Sequence, residues 1–177
     1  MVGQGVATYL RDEGHEGGTV AVGYDARESS PGFAQELARV LCANGFDVVM
    51  PADRDRPTPL TAWQAREREL AGAMMITASH NPPEYNGVKF IMGDGSPALP
   101  EATDAIAERL AEPDPLPEDQ HGTISEVDEV TPHAEHAREL VGADLDGLHV
   151  VYDAMHGSGR DTTDALLESE GATVDRI

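Results

Sequence analysis

Short apolar runs alternate with amphipathic stretches along the first hundred residues, and this alternation limits the fold more than any other feature. "TVAVGYD" (19–25), "FDVVM" (46–50) and "AGAMMITA" (71–78) are short apolar runs suited to buried strands. Between the first two lies "SSPGFAQELARVLCANG", a helix with Ser30 as cap and Pro31 in its first turn. It places Phe33, Leu37, Val40 and Leu41 on one face and stops at Asn44-Gly45. "TPLTAWQAREREL" is a second helix, with Thr58 as cap, Pro59 at the first position and Trp63 packing one face. "GVKFIM" is a fourth strand turned back by "GDGS", and "LPEATDAIAERLAE" a third long helix. Strands and helices in this order predict an α/β fold, a three-layer αβα domain with a mainly parallel mixed sheet.

The proline- and acid-rich "PDPLPEDQHG" reads as the approach to a domain boundary, followed by a strand, "TISEVD", and a connecting helix, "TPHAEHARELVG". The pattern then restarts: "LHVVYDAM" as a strand, "HGSGR" as a turn, "DTTDALLESEG" as a helix and "ATVDRI" as a strand. The expected organisation is a first domain over residues 1–125 and the start of a second, similar α/β domain over 126–177. A strand–helix–strand unit by itself buries neither face of its sheet, so the second domain is expected to be truncated.

Charge excludes some partners. The 177 residues carry 33 acidic against 12 basic groups, a net charge of −21, which disfavours a nucleic-acid partner because phosphate contacts need clustered cations. Eleven of the twelve basic residues are arginine, and Lys89 is the only lysine. Abundant Asp and Glu with almost no Lys resembles proteins from salt-loving organisms, in which salt screens carboxylate repulsion. No apolar run approaches the length that spans a bilayer, and the first residues lack the pattern of a signal peptide, so no membrane association and a cytoplasmic location are expected. The single cysteine, Cys42, reads as a small buried apolar residue. His133 and His136, three apart on a helix beside Glu135 and Glu139, have zinc-ligand spacing but read as solvated histidines on an acidic face.

The chemistry concentrates in "TASHNPPEYNGVKF" (77–90), directly after an apolar strand. In open α/β sheets ligands bind beyond the carboxyl ends of the strands, which is where this loop falls. Thr77 and Ala78 bring the chain to the sheet edge and Ser79 faces the crevice. Pro82 and Pro83 stiffen the loop and keep Asn81 out of helical space. Asn86-Gly87 is expected to make a second tight turn that sends Lys89 back toward Ser79. A serine on a stiff loop beside His80 and Lys89 suits a covalent intermediate. The acyl-transfer elbow Gly-x-Ser-x-Gly is absent, whereas phosphoryl transfer asks mainly for positioning and positive charge. A lysine in a chain that otherwise uses arginine offers an amine that can lose its proton. The bland alternative is a turn held by local hydrogen bonds. Upstream, Asp25 and Arg27 in "GYDARESS" either brace this loop or place Arg27 against a phosphate. "HGSGR" (156–160) reads as a tight turn, with a phosphate cradle as the sharper option.

These residues resemble the active-site loop of the α-D-phosphohexomutases, the phosphomannomutase and phosphoglucomutase family: Thr-Ala-Ser-His-Asn-Pro, then Tyr-Asn-Gly and a Lys. "VGYDARESS" is similar to that family's first-domain Gly-x-Asp-x-Arg turn, and "VVYDAMHGSGR" to the opening of its second domain. The resemblance implies that Ser79 is carried as phosphoserine and gives its phosphoryl group to a hexose phosphate through a bisphosphorylated intermediate. It implies that Lys89 is the general acid/base, that His80 supports the phosphoryl group, and that Thr77, Asn81, Asn86, Gly87, Asp25 and Arg27 support the loop. It also implies Mg²⁺, bound through the Ser79 phosphoryl group with its remaining protein ligands outside this chain. The family's opening Gly-Ile-Arg-Gly-like segment, its metal-binding aspartate cluster and its later sugar and phosphate loops are not among these residues. The expectation is therefore a phosphohexomutase N-terminal part, inactive alone, that needs its missing C-terminal domains or another chain. The alternative is a non-catalytic remnant or interaction module of the same fold.

Overall fold

The computed structural model describes residues 1–177, which divide into two compact units, Met1–Val127 and Asp128–Ile177. The first unit runs α1 (Val2–Asp12), β1 (Thr19–Tyr24), α2 (Ser30–Ala43), β2 (Asp47–Pro51), α3 (Thr58–Glu67), β3 (Gly72–Ile76), β4 (Val88–Met92), α4 (Pro100–Glu108), a short 3₁₀ turn, and β5 (Ile124–Val127). Its five strands lie in the order β4-β3-β1-β2-β5. All neighbours are parallel except β3 and β4, which are antiparallel.

Alternation along the strands makes the three layers. Val20, Val22, Val48, Met50, Met74, Ile76 and Phe90 point to one face and pack with Val6 and Leu10 of α1, Leu37 and Leu41 of α2, and Ile106 of α4. Ala21, Val49, Ala73, Met75 and Ile91 point to the other and meet Ala65 of α3. The small residues on this second face let α3 approach closely. At Gly23 an added Cβ would meet the Thr61 hydroxyl at 2.0 Å, so β1 tolerates only glycine there. A reciprocal amide pair ties α1 to the end of α2: Gln4 Nε2 donates to Asn44 Oδ1 at 3.0 Å, and Asn44 Nδ2 donates to Gln4 Oε1 at 2.9 Å. Gly45, with φ +85°, then turns the chain out of α2.

Local details differ from the sequence reading. Ser30 is not the cap of α2 but its first helical residue, fully buried, and Ser29 occupies the cap position. Thr58 is likewise the first residue of α3, after Pro57. Phe33 does not join the inner face of α2: the buried stripe runs through Ala34, Leu37, Ala38 and Leu41, and Phe33 falls beside it, 54% exposed. Trp63 is half-buried on α3. The proline-rich stretch is not a free linker. Leu116 N–H bonds Ala43 O, Gly122 N–H bonds Cys42 O, and β5 joins the sheet beside β2. The first unit therefore extends to Val127.

The second unit holds α5 (Val130–Val141), β6 (His149–Tyr152), α6 (Thr163–Ser169) and β7 (Thr173–Arg176). β6 and β7 are parallel neighbours joined through α6, a strand–helix–strand unit. Arg176 of β7 bonds the buried Asp164 of α6 at 2.6 Å. No helix of the chain is long and apolar enough to cross a membrane.

Candidate active site

The loop between β3 and β4 joins antiparallel neighbours, so both of its ends are fixed by the sheet. Thr77 N–H bonds Gly87 O at 3.0 Å, which extends the pairing one step beyond Ile76 and Val88. Thr77 is buried, while Ser79 and His80 are exposed. Ser79 adopts φ +58°, a left-handed backbone that non-glycine residues seldom take. Its N–H donates to Thr77 Oγ1 at 2.9 Å. Its hydroxyl lies 3.4 Å from His80 Nδ1, a long contact that leaves it open to other partners.

Arg27 organises the loop. It stands two residues beyond Asp25, in the turn that follows the central strand β1, and its side chain is only 10% exposed. Nη1 donates to Pro82 O at 2.7 Å and Tyr85 O at 3.0 Å, and Nη2 to Ser79 O at 3.0 Å and Asn81 O at 2.8 Å. Nε donates to Asp25 Oδ2 at 3.1 Å. A guanidinium has five N–H donors, so all are engaged and none is left for a phosphate.

Asp25 gathers the remaining donors. Its Oδ1 accepts from Ser30 Oγ at 2.6 Å and from Arg27 N at 3.2 Å. Burial pushes its carboxyl up, but hydrogen bonds from Ser30, Thr77 and the Arg27 backbone, together with the guanidinium charge, hold it below its ordinary value. The return limb is fastened separately. Asn86 Nδ2 donates to the hydroxyls of Ser29 and Ser30, both at 2.9 Å, and Asn86 Oδ1 accepts Gly87 N–H at 2.8 Å. The expected Asn86-Gly87 turn is replaced. Neither residue has a positive φ, and the chain reverses through Pro82–Tyr85, whose ends are joined by Tyr85 N–H to Pro82 O at 3.0 Å. The Asn86 side chain is committed to Ser29 and Ser30 at the start of α2.

The structure thus joins Ser79, Thr77, Asn81, Asn86, Gly87, Asp25 and Arg27 in one bonded network, with His80 beside the serine. Lys89 stands apart from it, exposed on β4 in register with Met75. Ser29 and Ser30 belong to the network, although in the sequence they look only like helix-start residues; their adjacency to Asp25 and Arg27 is the available signal. Cys42 is no rival nucleophile, since burial and then the Asp47 charge push its thiol up to about 11. No group of three or more His, Cys, Asp or Glu forms a metal cage. The donor that the site offers a cation is Ser79 itself, exposed and with no carboxylate on its hydroxyl.

Comparison with known proteins follows this geometry. Residues 1–116 match the model of the "Phosphoglucomutase/phosphomannomutase, alpha/beta/alpha domain I" family. Over 162 residues the chain is 38% identical to a Methanopyrus kandleri protein assigned as a phosphoglucosamine mutase, covering 89% of this chain and 35% of that one. A Thermococcus kodakarensis phosphoglucomutase/phosphomannomutase is 32% identical over 98% of this chain and 39% of its own length. The solved structure of a Thermus thermophilus protein assigned as a phosphomannomutase superposes with TM-score 0.84 at 29% identity, covering 99% of this chain and 40% of that one. The chain thus spans well under half the length of the relatives it matches.

Proposed function

Because the chain belongs to the phosphoglucomutase/phosphomannomutase family, we propose that it is the part of a phosphohexomutase that carries the transferred phosphoryl group, on Ser79. One observation carries this reading: an exposed serine hydroxyl whose flanking N–H and C=O are both bonded, at 2.9 Å to Thr77 and 3.0 Å to Arg27. A nucleophile so held loses little freedom on reaching its transition state.

In this proposal the phosphorylated Ser79 faces a hexose phosphate. The Ser79 Oγ–P bond breaks as a bond forms from a sugar hydroxyl oxygen to phosphorus, and Lys89 takes the hydroxyl proton. The sugar bisphosphate turns round, its other phosphoryl group returns to Ser79 Oγ, and Lys89 gives the proton back to the released hydroxyl. His80 Nδ1 lies close enough to the serine to donate to a phosphoryl oxygen. Mg²⁺, when bound, neutralises charge on the transferring group, and the phosphoserine oxygen is this chain's contribution to holding it. The substrate class is a hexose phosphate, in agreement with the gluco-, manno- and glucosamine names of the relatives. The chain acts with further domains and not alone, in the cytoplasm of a salt-adapted cell.

Incubation with a hexose 1,6-bisphosphate and the remaining domains of a family member supplied in trans, followed by peptide mapping, tests the proposal. Label on Ser79 is expected, and none on the chain incubated without those domains. Label on Ser29, Ser30 or Ser158 with Ser79 bare would overturn the assignment.

A further inference from the structure

Ser79 is a non-glycine residue in the left-handed region, and such a backbone persists only where its surroundings impose it. Two bonds hold it from either side. Ser79 N–H donates to Thr77 Oγ1, and Ser79 O accepts from Arg27 Nη2, whose Nε is bound in turn to Asp25. Both peptide groups that define φ and ψ of Ser79 are therefore fixed from outside the residue, and χ1 is its one free torsion. The three other carbonyls on Arg27 belong to Asn81, Pro82 and Tyr85, so the same planar fork also sets the path of the loop away from the serine. His80, at 3.4 Å and exposed, does not set it.

We infer that Arg27 is a positioning residue. By capturing the carbonyls of Ser79, Asn81, Pro82 and Tyr85, it imposes the left-handed backbone that presents the Ser79 hydroxyl for phosphoryl transfer. The inference rests on the reading of Ser79 as the phosphoryl carrier for its purpose, but not for its geometry. Lysine cannot replace Arg27: an ammonium has three donors on one nitrogen and cannot span four carbonyls and a carboxylate.

A double-mutant cycle on the 177-residue chain tests the geometry without turnover. Ser79→Gly removes the penalty of a positive φ wherever that φ is enforced. Denaturant unfolding of the parent, S79G, R27K and the R27K/S79G double variant should show coupling. The glycine should shift the folding equilibrium at least about fivefold further toward the native state in the parent background than in the R27K background. An equal effect in both backgrounds overturns the inference. If R27K does not fold, Arg27→Gln removes the fork while keeping a planar amide, and the R27Q/S79G cycle decides on the same criterion. The purpose is read separately, with the remaining domains in trans. R27K should lower the maximal rate of Ser79 labelling at least tenfold and leave the half-saturating bisphosphate concentration unchanged. An unchanged maximal rate overturns the positioning role. Absence of label in the parent chain overturns the proposed function, and the stability cycle then still decides the geometry.

Discussion

The chain contains the sequence Tyr-Asp-Ala twice at the end of a parallel strand, at 24–26 after β1 and at 152–154 after β6. The two turns are built alike. Asp25 Oδ1 accepts the N–H of Arg27 at 3.2 Å, and Asp153 Oδ1 accepts the N–H of Met155 at 2.7 Å. An aspartate bonding the backbone two residues on is a local turn device that needs no tertiary partner. The turns diverge at the residue that receives the bond. Arg27 extends into the serine loop and is nearly buried, while Met155 has φ +48° and is 71% exposed. The same aspartate is thus a turn former in both places and a charge partner in only one. What separates a site from a turn here is whether a neighbouring loop offers carbonyls for the next side chain to collect.

That contrast can be broken most decisively at the serines. Ser79→Ala should abolish phosphoryl labelling of the chain, whereas Ser158→Ala, in the glycine-rich stretch after the second turn, should leave it unchanged. Peptide mapping under the trans-complementation conditions reads both, and label surviving in S79A would place the nucleophile elsewhere. Next comes stability. Arg27→Ala leaves Asp25 without its ion pair and the loop without its fork, so a loss of about 2–3 kcal/mol is expected. Met155→Ala should change stability by less than about 0.5 kcal/mol. Equal losses in urea unfolding would mean that the two turns do equivalent work.

A smaller effect is expected at the aspartates. Asparagine retains an acceptor for the turn but not the charge, so Asp25→Asn should cost about 1–2 kcal/mol and Asp153→Asn less than about 0.5. The Asp25 carboxyl titrates lower in the folded chain than in the unfolded one, where a carboxyl near pH 4 is expected. The unfolded state therefore binds the proton more readily, and the stabilisation is complete above that pH and fades as pH falls through the folded value. The gap between the parent and D25N, constant from about pH 7 to 5, should close on acidification below about 4. A gap unchanged at about pH 3 would remove the charge from the explanation. The smallest effect concerns salt. With a net charge of −21, molar KCl should raise the melting midpoint of the parent and of R27A alike, because screening acts on the exposed surface and little on a largely buried pair. A midpoint that falls with salt would contradict the salt-adapted reading.

The layered sheet was legible because strand and helix periods are local properties. Short β-branched and methionine-rich runs, proline at helix starts and Asn44-Gly45 at a helix end speak for themselves. The loop stood out as a candidate site because serine, histidine and paired prolines gather where a buried strand ends. Its geometry was not legible. The left-handed φ of Ser79 comes from a guanidinium more than fifty residues away in sequence, and no local pattern encodes that. The role of Ser30 was hidden for the same reason: near a helix start it looks like a cap, and only the folded sheet reveals that its hydroxyl faces Asp25. Asn86-Gly87 misled in the opposite direction, since its turn propensity yielded to the bonds that Asn86 makes with Ser29 and Ser30. The edge position of β5 likewise depends on a pairing with β2 that proline-rich spacing does not announce.

The antiparallel pairing of β3 and β4 has a consequence for the order in which the protein assembles. A hairpin closes over a short stretch of chain and can form within microseconds. The bonds from Arg27 to the loop join residues 52 to 58 apart, and β1 must first take its place beside β3 before the arginine can reach them. Contacts of such separation carry the entropy of closing the intervening chain and come late on a folding route. The hairpin is therefore expected to form before its serine has a fixed backbone. The Ser79 hydroxyl is expected to acquire its geometry late in folding, when the central strand docks, so a partly folded chain would carry the serine on a loop whose backbone is not yet set.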